Sequence, residues 1–139
     1  MHELFENGLE RFRGLKIENL WTDKTYKVIY LDFSIIKESN PSDSFRSLFN
    51  RALLRAFKGA HLEFNANNDE DGPSDLLSDA LMLVNTTDIV LLIDEYDAPL
   101  TAVLNDETEF ESRRKILSNF YSAVKSYQGV YLYYGCDIL

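Results

Sequence analysis

The chain has 139 residues, a length typical of a single domain that buries about two thirds of the surface of its unfolded chain. Its 45% hydrophobic and 27% charged residues are the balance of a folded globular protein, which argues against intrinsic disorder. The 23 acidic residues outnumber the 14 basic ones, and the formal net charge of −9 repels phosphate backbones, which argues against direct nucleic-acid binding.

The sequence has no recognisable targeting or membrane segment. Its start, MHELFENGLERF, lacks the apolar core and the cleavage site of a signal peptide. No apolar run approaches the roughly 20 residues that span a bilayer. The single cysteine, Cys136, has no partner for an internal disulfide. These features predict a cytoplasmic protein with no membrane partner.

The amino-terminal half combines two predicted helices with one predicted strand. Apolar residues at helical spacing predict a helix over residues 3–13 that Gly14 ends, and Trp21 then follows as a core residue. Residues 26–33 predict a strand. The sequence SNPSD at 39–43 is typical of a helix start and predicts a helix over about 42–58, followed by a polar loop over 59–74.

The carboxyl-terminal half continues the alternation. Ser74 and Asp75 predict the cap of a third helix, which leads into a strand at 89–93. A long helix is predicted over 107–127, with the basic run 113–115 on its exposed side, and a last strand over 130–134. Three strands separated by helices predict an α/β fold.

The strand at 89–93, IVLLI, is apolar throughout, which predicts burial on both faces in a parallel sheet covered by helices. Asp94, Glu95 and Asp97 follow it directly. Ligands of open α/β sheets bind beyond the carboxyl ends of the strands. An apolar strand that ends in Asp-Glu is typical of a Walker B segment, in which the Asp holds Mg²⁺ and the Glu polarises the attacking water.

A structural interpretation of these acids stands beside the functional one. Asp and Asn side chains often end strands because they cap turns, and Ala98 and Pro99 stop this strand at once. Asp32, at the end of the strand predicted over 26–33, could approach the same crevice in a parallel sheet, but we interpret it as a turn-capping acid.

The longer string IDEYDAPL at 93–100 resembles the AAA-ATPase-like family, whose P-loop ATPase domain is commonly followed by a PD-(D/E)XK-type nuclease domain. Three further segments agree in order: FENGLERFRGLKI near the start, YKVIYLDFS at 26–34 and FYSAVKSY at 120–127. The resemblance implies a three-layer, P-loop NTPase-like parallel sheet with strand order five, one, four, three, two. This chain supplies the second, third and fourth strands, which are neighbours in that order.

The family's phosphate-binding loop has no counterpart in this chain. Gly-Lys-Ser and Gly-Lys-Thr do not occur, and none of the six glycines is followed by lysine. We therefore expect residues 1–139 to form a single partial ATPase domain, a fragment or degenerate member that retains the Walker B strand and does not hydrolyse ATP alone. The resemblance implies Mg²⁺ and ATP as cofactors, with Asp94 as metal ligand, Glu95 as catalytic residue and Asp97 in support at the nucleotide.

Two other functions compete with this one. The segment VYLYY at 130–134 would present the sheet edge that the P-loop strand occupies in the family, so the chain is alternatively a non-enzymatic interaction domain that pairs through this edge with a protein partner or with itself. A metal-dependent nuclease is the weakest hypothesis, because no lysine accompanies the acids and the net charge opposes DNA.

Overall fold

Three parallel strands form the sheet in the part of the chain that the computed structural model describes, namely residues 2–15, 25–36, 43–63, 70–83, 89–127 and 130–134. Their bounds are Lys27–Asp32 (β1), Ile89–Asp94 (β2) and Val130–Tyr134 (β3). They lie in the order β1-β2-β3, and both pairings are parallel. The predicted α/β class, the parallel sheet and the adjacency of the three strands are confirmed.

Five α-helices surround the sheet in the described residues. They are His2–Asn7 (α1), Phe45–Gly59 (α2), Pro73–Leu83 (α3), Ala98–Thr101 (α4) and Glu107–Ser126 (α5). Short 3-10 turns follow α1 at Glu10–Phe12 and β1 at Phe33–Ile36. None of the helices within the described ranges has the length and apolarity needed to cross a membrane. Trp21, Cys136 and residues 64–69 of the predicted polar loop lie outside the described residues.

The central strand β2 is buried along its apolar length because helices cover both of its faces. Ile89, Leu91 and Ile93 point into the main core, which α2, α3 and α5 complete. Val90 and Leu92 point the other way and pack with Phe5 of α1. Side chains alternate between the two faces of a strand, so a strand covered on both faces must be apolar at successive positions.

Aromatic rings join the core to the carboxyl end of the sheet. The ring of Phe49 in α2 lies 5.1 Å from that of Phe33, centroid to centroid, and 4.8 Å from that of Phe120 in α5. All three side chains are fully buried. Phe33 follows Asp32 directly, so this ring cluster fixes the turn at the end of β1.

Capping groups set the starts of the two long helices. The Ser44 hydroxyl accepts a hydrogen bond from the Ser47 amide, and the Asp106 carboxylate accepts one from the Glu109 amide. These bonds satisfy amides that have no partner inside the helix. Helix α5 begins at the predicted residue, 107, whereas α2 begins at 45 and not at 42, because Ser44 is the cap that the structure uses.

The prediction of one continuous helix over residues 3–13 is wrong. Helix α1 ends at Asn7, and Gly8 takes a φ of +68°, in the left-handed region that glycine adopts without steric cost. The Gly8 amide still bonds to the Leu4 carbonyl, which closes the last turn of α1. Gly8 therefore ends the helix, although the apolar spacing continues beyond it.

Candidate functional site

Acidic residues end the two neighbouring strands β1 and β2. Asp32 and Asp94 are register partners, so their Cα atoms face each other across adjacent strands, about 4.8 Å apart in a regular sheet. Both side chains are partly buried. Glu95 and Asp97 follow Asp94 and are exposed. We call residues 94–97 the acid turn.

The carboxylate of Asp94 is held by hydrogen bonds at both oxygens. Its Oδ2 accepts from the Tyr30 hydroxyl at 3.1 Å, and its Oδ1 accepts from the Glu95 amide at 3.0 Å. Burial, then the bond to Asp94 and the negative charges of Asp94 and Asp32, raise the pKa of Tyr30 above its ordinary value. The Tyr30 hydroxyl therefore stays a donor that orients the Asp94 carboxylate.

Sequence reasoning did not identify Tyr30. In the sheet register Tyr30 faces Leu92, and Asp94 lies two residues beyond Leu92 on the same face, so the two side chains are diagonal neighbours. The Tyr30 ring also meets the His2 ring edge-on, with centroids 5.9 Å apart. Only the register of β1 against β2 reveals this pair.

Glu95 has a left-handed backbone, with a φ of +51°. For a residue with a Cβ this conformation costs roughly 1–2 kcal/mol. The Glu95 carbonyl accepts a hydrogen bond from the Ala98 amide, so the strained residue closes a tight turn between β2 and α4. The backbone bend brings the Glu95 side chain to the solvent-exposed rim of the sheet.

Asp97 precedes α4 at the cap position, but its side chain makes no capping hydrogen bond. Its carbonyl accepts from the Leu100 and Thr101 amides. The structural interpretation of the acids as turn caps therefore fails for the Asp97 side chain. It holds for Asp32, whose Oδ1 accepts from the Ser34 amide at 2.8 Å.

Arg113 in α5 departs from the sequence-based prediction. The basic run 113–115 was expected on the exposed side of the helix, but only 3% of Arg113 is exposed. Its Nε donates to Glu109 at 2.8 Å, and its Nη1 donates to the Pro99 carbonyl of α4 at 3.1 Å. Arg114 and Lys115 are exposed as predicted. The prediction for Arg113 is wrong because this position faces α4.

Asp94, Glu95 and Asp97 share one short turn but do not converge on a point. Within the described ranges, no three His, Cys, Asp or Glu side chains are grouped so that they could hold a metal ion. A cleft of about 350 Å³ lies at the outer edge of β1 and reaches Tyr30 and Asp32, but not the acid turn. The acid turn is therefore an open surface at the end of the sheet.

The family comparison matches nearly the whole chain. Residues 1–135 match the family model AAA-ATPase_like, described as a predicted AAA-ATPase. Neither a curated protein nor a solved structure matches the chain. The family match covers β1, the acid turn and all of β3.

Proposed function

Because the chain belongs to the AAA-ATPase-like family, we propose that it forms the part of an ATPase domain that holds the Mg²⁺ of Mg²⁺-ATP at the acid turn. The observation that carries this proposal is the place of Asp94, at the carboxyl end of the central strand of a parallel sheet. That edge is where open α/β sheets bind their ligands. We further propose that the sheet is of the P-loop NTPase type, with β2 as its Walker B strand.

The donor set suits Mg²⁺ in this role. Mg²⁺ keeps several waters and takes one or two carboxylates together with substrate phosphates, so a single oriented Asp is sufficient protein ligation. The hydrogen bonds from Tyr30 and Glu95 fix the carboxylate of Asp94 before any cation arrives. Bound Mg²⁺ would supply neutralisation of the charge that develops on the transferred phosphoryl group.

The three acids of the acid turn then have different roles. Asp94 holds the cation. Glu95, exposed next to it, orients the attacking water and accepts its proton. Asp97 presents a carboxylate that no capping bond occupies, and it supports the nucleotide site from the far side of the turn.

A phosphate-binding loop is required in addition. No Gly-Lys-Ser or Gly-Lys-Thr occurs in these 139 residues, and phosphoryl transfer depends on positioning and charge stabilisation by such a loop. We propose that a strand carrying the loop pairs along the outer edge of β3, which ends the sheet in the described residues. By this proposal the chain does not hydrolyse ATP until the loop is supplied.

The first test is metal binding followed by NMR. Mn²⁺, used in place of Mg²⁺, is expected to broaden the amide signals of Asp94 and Glu95 in the wild-type chain but not in Asp94→Asn. The control is Asp79→Asn, which removes the same charge from an exposed site on α3 and should leave the broadening intact. Absence of any effect at Asp94 in the wild type would contradict its assignment as ligand.

Calorimetry with Mg²⁺-ATP tests the requirement for a separate loop. We expect no saturable binding by the wild-type chain or by the double variant Asp94→Asn, Glu95→Gln. Saturable binding by the wild type that the double variant loses would show that the chain holds phosphates by itself, and completion from elsewhere would then be wrong. The alternative, an interaction domain without nucleotide chemistry, predicts that the double variant keeps its protein partner.

A further inference from the structure

Arg113 is a buried charged residue that connects two elements distant in sequence. Only 3% of its surface is exposed, and the centre of its guanidinium lies 5.0 Å from the centroid of the Phe45 ring. Its carboxylate partner, Glu109, has a side chain 39% exposed, so the ion pair sits at the boundary of the core. Burying a guanidinium is costly, and an apolar side chain of similar size would fill this space at a lower cost.

The hydrogen bond from Arg113 to Pro99 is what an apolar side chain could not provide. Pro99 belongs to α4, a helix of four residues, and the last carbonyls of a helix have no partner within it. The Arg113 Nη1 donates to the Pro99 carbonyl at 3.1 Å and thereby satisfies one of them. A helix this short does not persist alone in water, so its position depends on contacts with its surroundings.

The position of α4 in turn decides the position of the acid turn. The Ala98 amide, the first of α4, donates to the Glu95 carbonyl, and the Asp97 carbonyl accepts from the Thr101 amide. No residue lies between Asp97 and the start of α4 at Ala98. A displacement of α4 therefore moves Glu95 and Asp97 with it.

We infer that Arg113 is a positioning residue for the acid turn: it anchors α4 to α5 and so fixes where Glu95 and Asp97 stand. As a contribution to catalysis, this role rests on the proposed function. As a statement about the turn, it stands on the contacts alone. The long helix α5 thus holds the acid turn in place through the hydrogen bond from Arg113 to α4.

Native-state hydrogen exchange by NMR tests this role in the full chain. Three variants are compared with the wild type: Arg113→Met, Arg113→Lys, and the control Arg114→Met. Arg114 is the adjacent residue of α5, exposed and bonded to Glu111 within the same helix. For the Ala98 and Thr101 amides we take the ratio of the exchange rate in each variant to that of the same amide in the wild type, and the Leu91 amide in β2 reports any change in global stability.

In Arg113→Met we expect this ratio to rise about tenfold or more, because a hydrogen bond from a charged donor is lost. Arg113→Lys keeps a charged donor and should recover part of the protection, while Arg114→Met should leave the ratio unchanged. An unchanged ratio in Arg113→Met, or an equal rise in Arg114→Met, would overturn the inference. If Arg113→Met does not fold, the ratio in Arg113→Lys decides: a rise supports the inference and an unchanged value overturns it.

The same samples separate this inference from the proposed function. Mn²⁺ broadening at Asp94 in the wild type tests the metal site, and its absence leaves the exchange comparison intact. Conversely, Mn²⁺ could broaden the Asp94 signal equally in the wild type and in Arg113→Met while the exchange ratio stays unchanged. That result would exclude a positioning role for Arg113 and leave the proposed function intact.

Discussion

Truncation of Phe49 to alanine should destabilise the chain more than a change at an exposed apolar residue. Phe49 is fully buried, and its ring meets those of Phe33 at 5.1 Å and Phe120 at 4.8 Å. Deletion of a buried phenylalanine side chain costs about 3–5 kcal/mol, from lost transfer free energy and the cavity left behind. These aromatic contacts, and a further one with Phe45 at 5.8 Å, add to the loss, so we expect about 4 kcal/mol for Phe49→Ala. That is a large part of the total free energy of unfolding of a domain, which is roughly 5–15 kcal/mol.

Urea denaturation followed by circular dichroism measures this cost as a change in the free energy of unfolding. Phe49→Leu keeps most of the volume and should lose about 1–2 kcal/mol. Leu104→Ala is the control, because Leu104 is 66% exposed and its loss should stay within about 0.5 kcal/mol. A cost for Phe49→Ala below about 2 kcal/mol would refute the view that the ring cluster holds α2, α5 and the turn after β1 together.

Three further predictions concern the site and the helix ends. Because the pKa of Tyr30 is raised in the folded state by burial and by the carboxylates of Asp94 and Asp32, the stability that its proton contributes is present below about pH 10 and lost as the pH rises through the folded-state value. Between pH 8 and pH 11, the free energy of unfolding should therefore fall less for Tyr30→Phe than for the wild type in parallel urea titrations. An equal fall would contradict the raised pKa of Tyr30 in the folded state. Glu95→Gly relieves a left-handed residue, so its free energy of unfolding should match that of the wild type or exceed it by up to about 1 kcal/mol, whereas a loss of more than 1 kcal/mol would mean that the Glu95 side chain stabilises the turn. Asp106→Ala removes the cap of α5 and should lower the free energy of unfolding by about 1 kcal/mol. Asp106→Asn keeps a capping side chain and should retain most of that stabilisation, so equal losses in the two variants would argue against the cap.

The elements that the sequence predicted well are those whose pattern reports burial directly. A run such as 89–93 is too short for a helix and rich in β-branched residues, so it predicts a strand covered on both faces, and parallel neighbours are expected from that burial. Helix α5 has both a cap at Asp106 and an apolar stripe that includes Leu117 and Phe120. Local pattern and tertiary packing agree in these elements, so the prediction did not depend on knowing the fold.

The residues that escaped prediction are those whose role depends on a distant partner. Tyr30 contacts Asp94 across 64 positions of sequence, and only the strand register brings the two together. Arg113 looks like a surface charge within RRK, and it is buried because α4 and Phe45 cover its side of the helix. The helix end at Gly8 escaped prediction for a local reason: the apolar spacing continues past Gly8, but the helical backbone ends there. Periodicity records which face is apolar, but it does not record what that face meets.

If the proposed function is right, the charge distribution at the end of the sheet explains why nucleotide binding would need a binding loop from elsewhere. Asp32, Asp94, Glu95 and Asp97 lie at the ends of β1 and β2, and none of the ion pairs within the described residues involves them. Such a surface repels a triphosphate, and one Mg²⁺ at Asp94, as proposed, would offset only part of that repulsion. The remaining attraction has to come from a lysine and from backbone amides aimed at the phosphates, which a phosphate-binding loop provides. A strand that carries this loop and pairs with β3 would face the acids from one strand away, because β3 adjoins β2 at the register Ile93↔Tyr134. By the proposed function, nucleotide binding therefore requires completion of the sheet at β3, and it should not be measurable without the added strand.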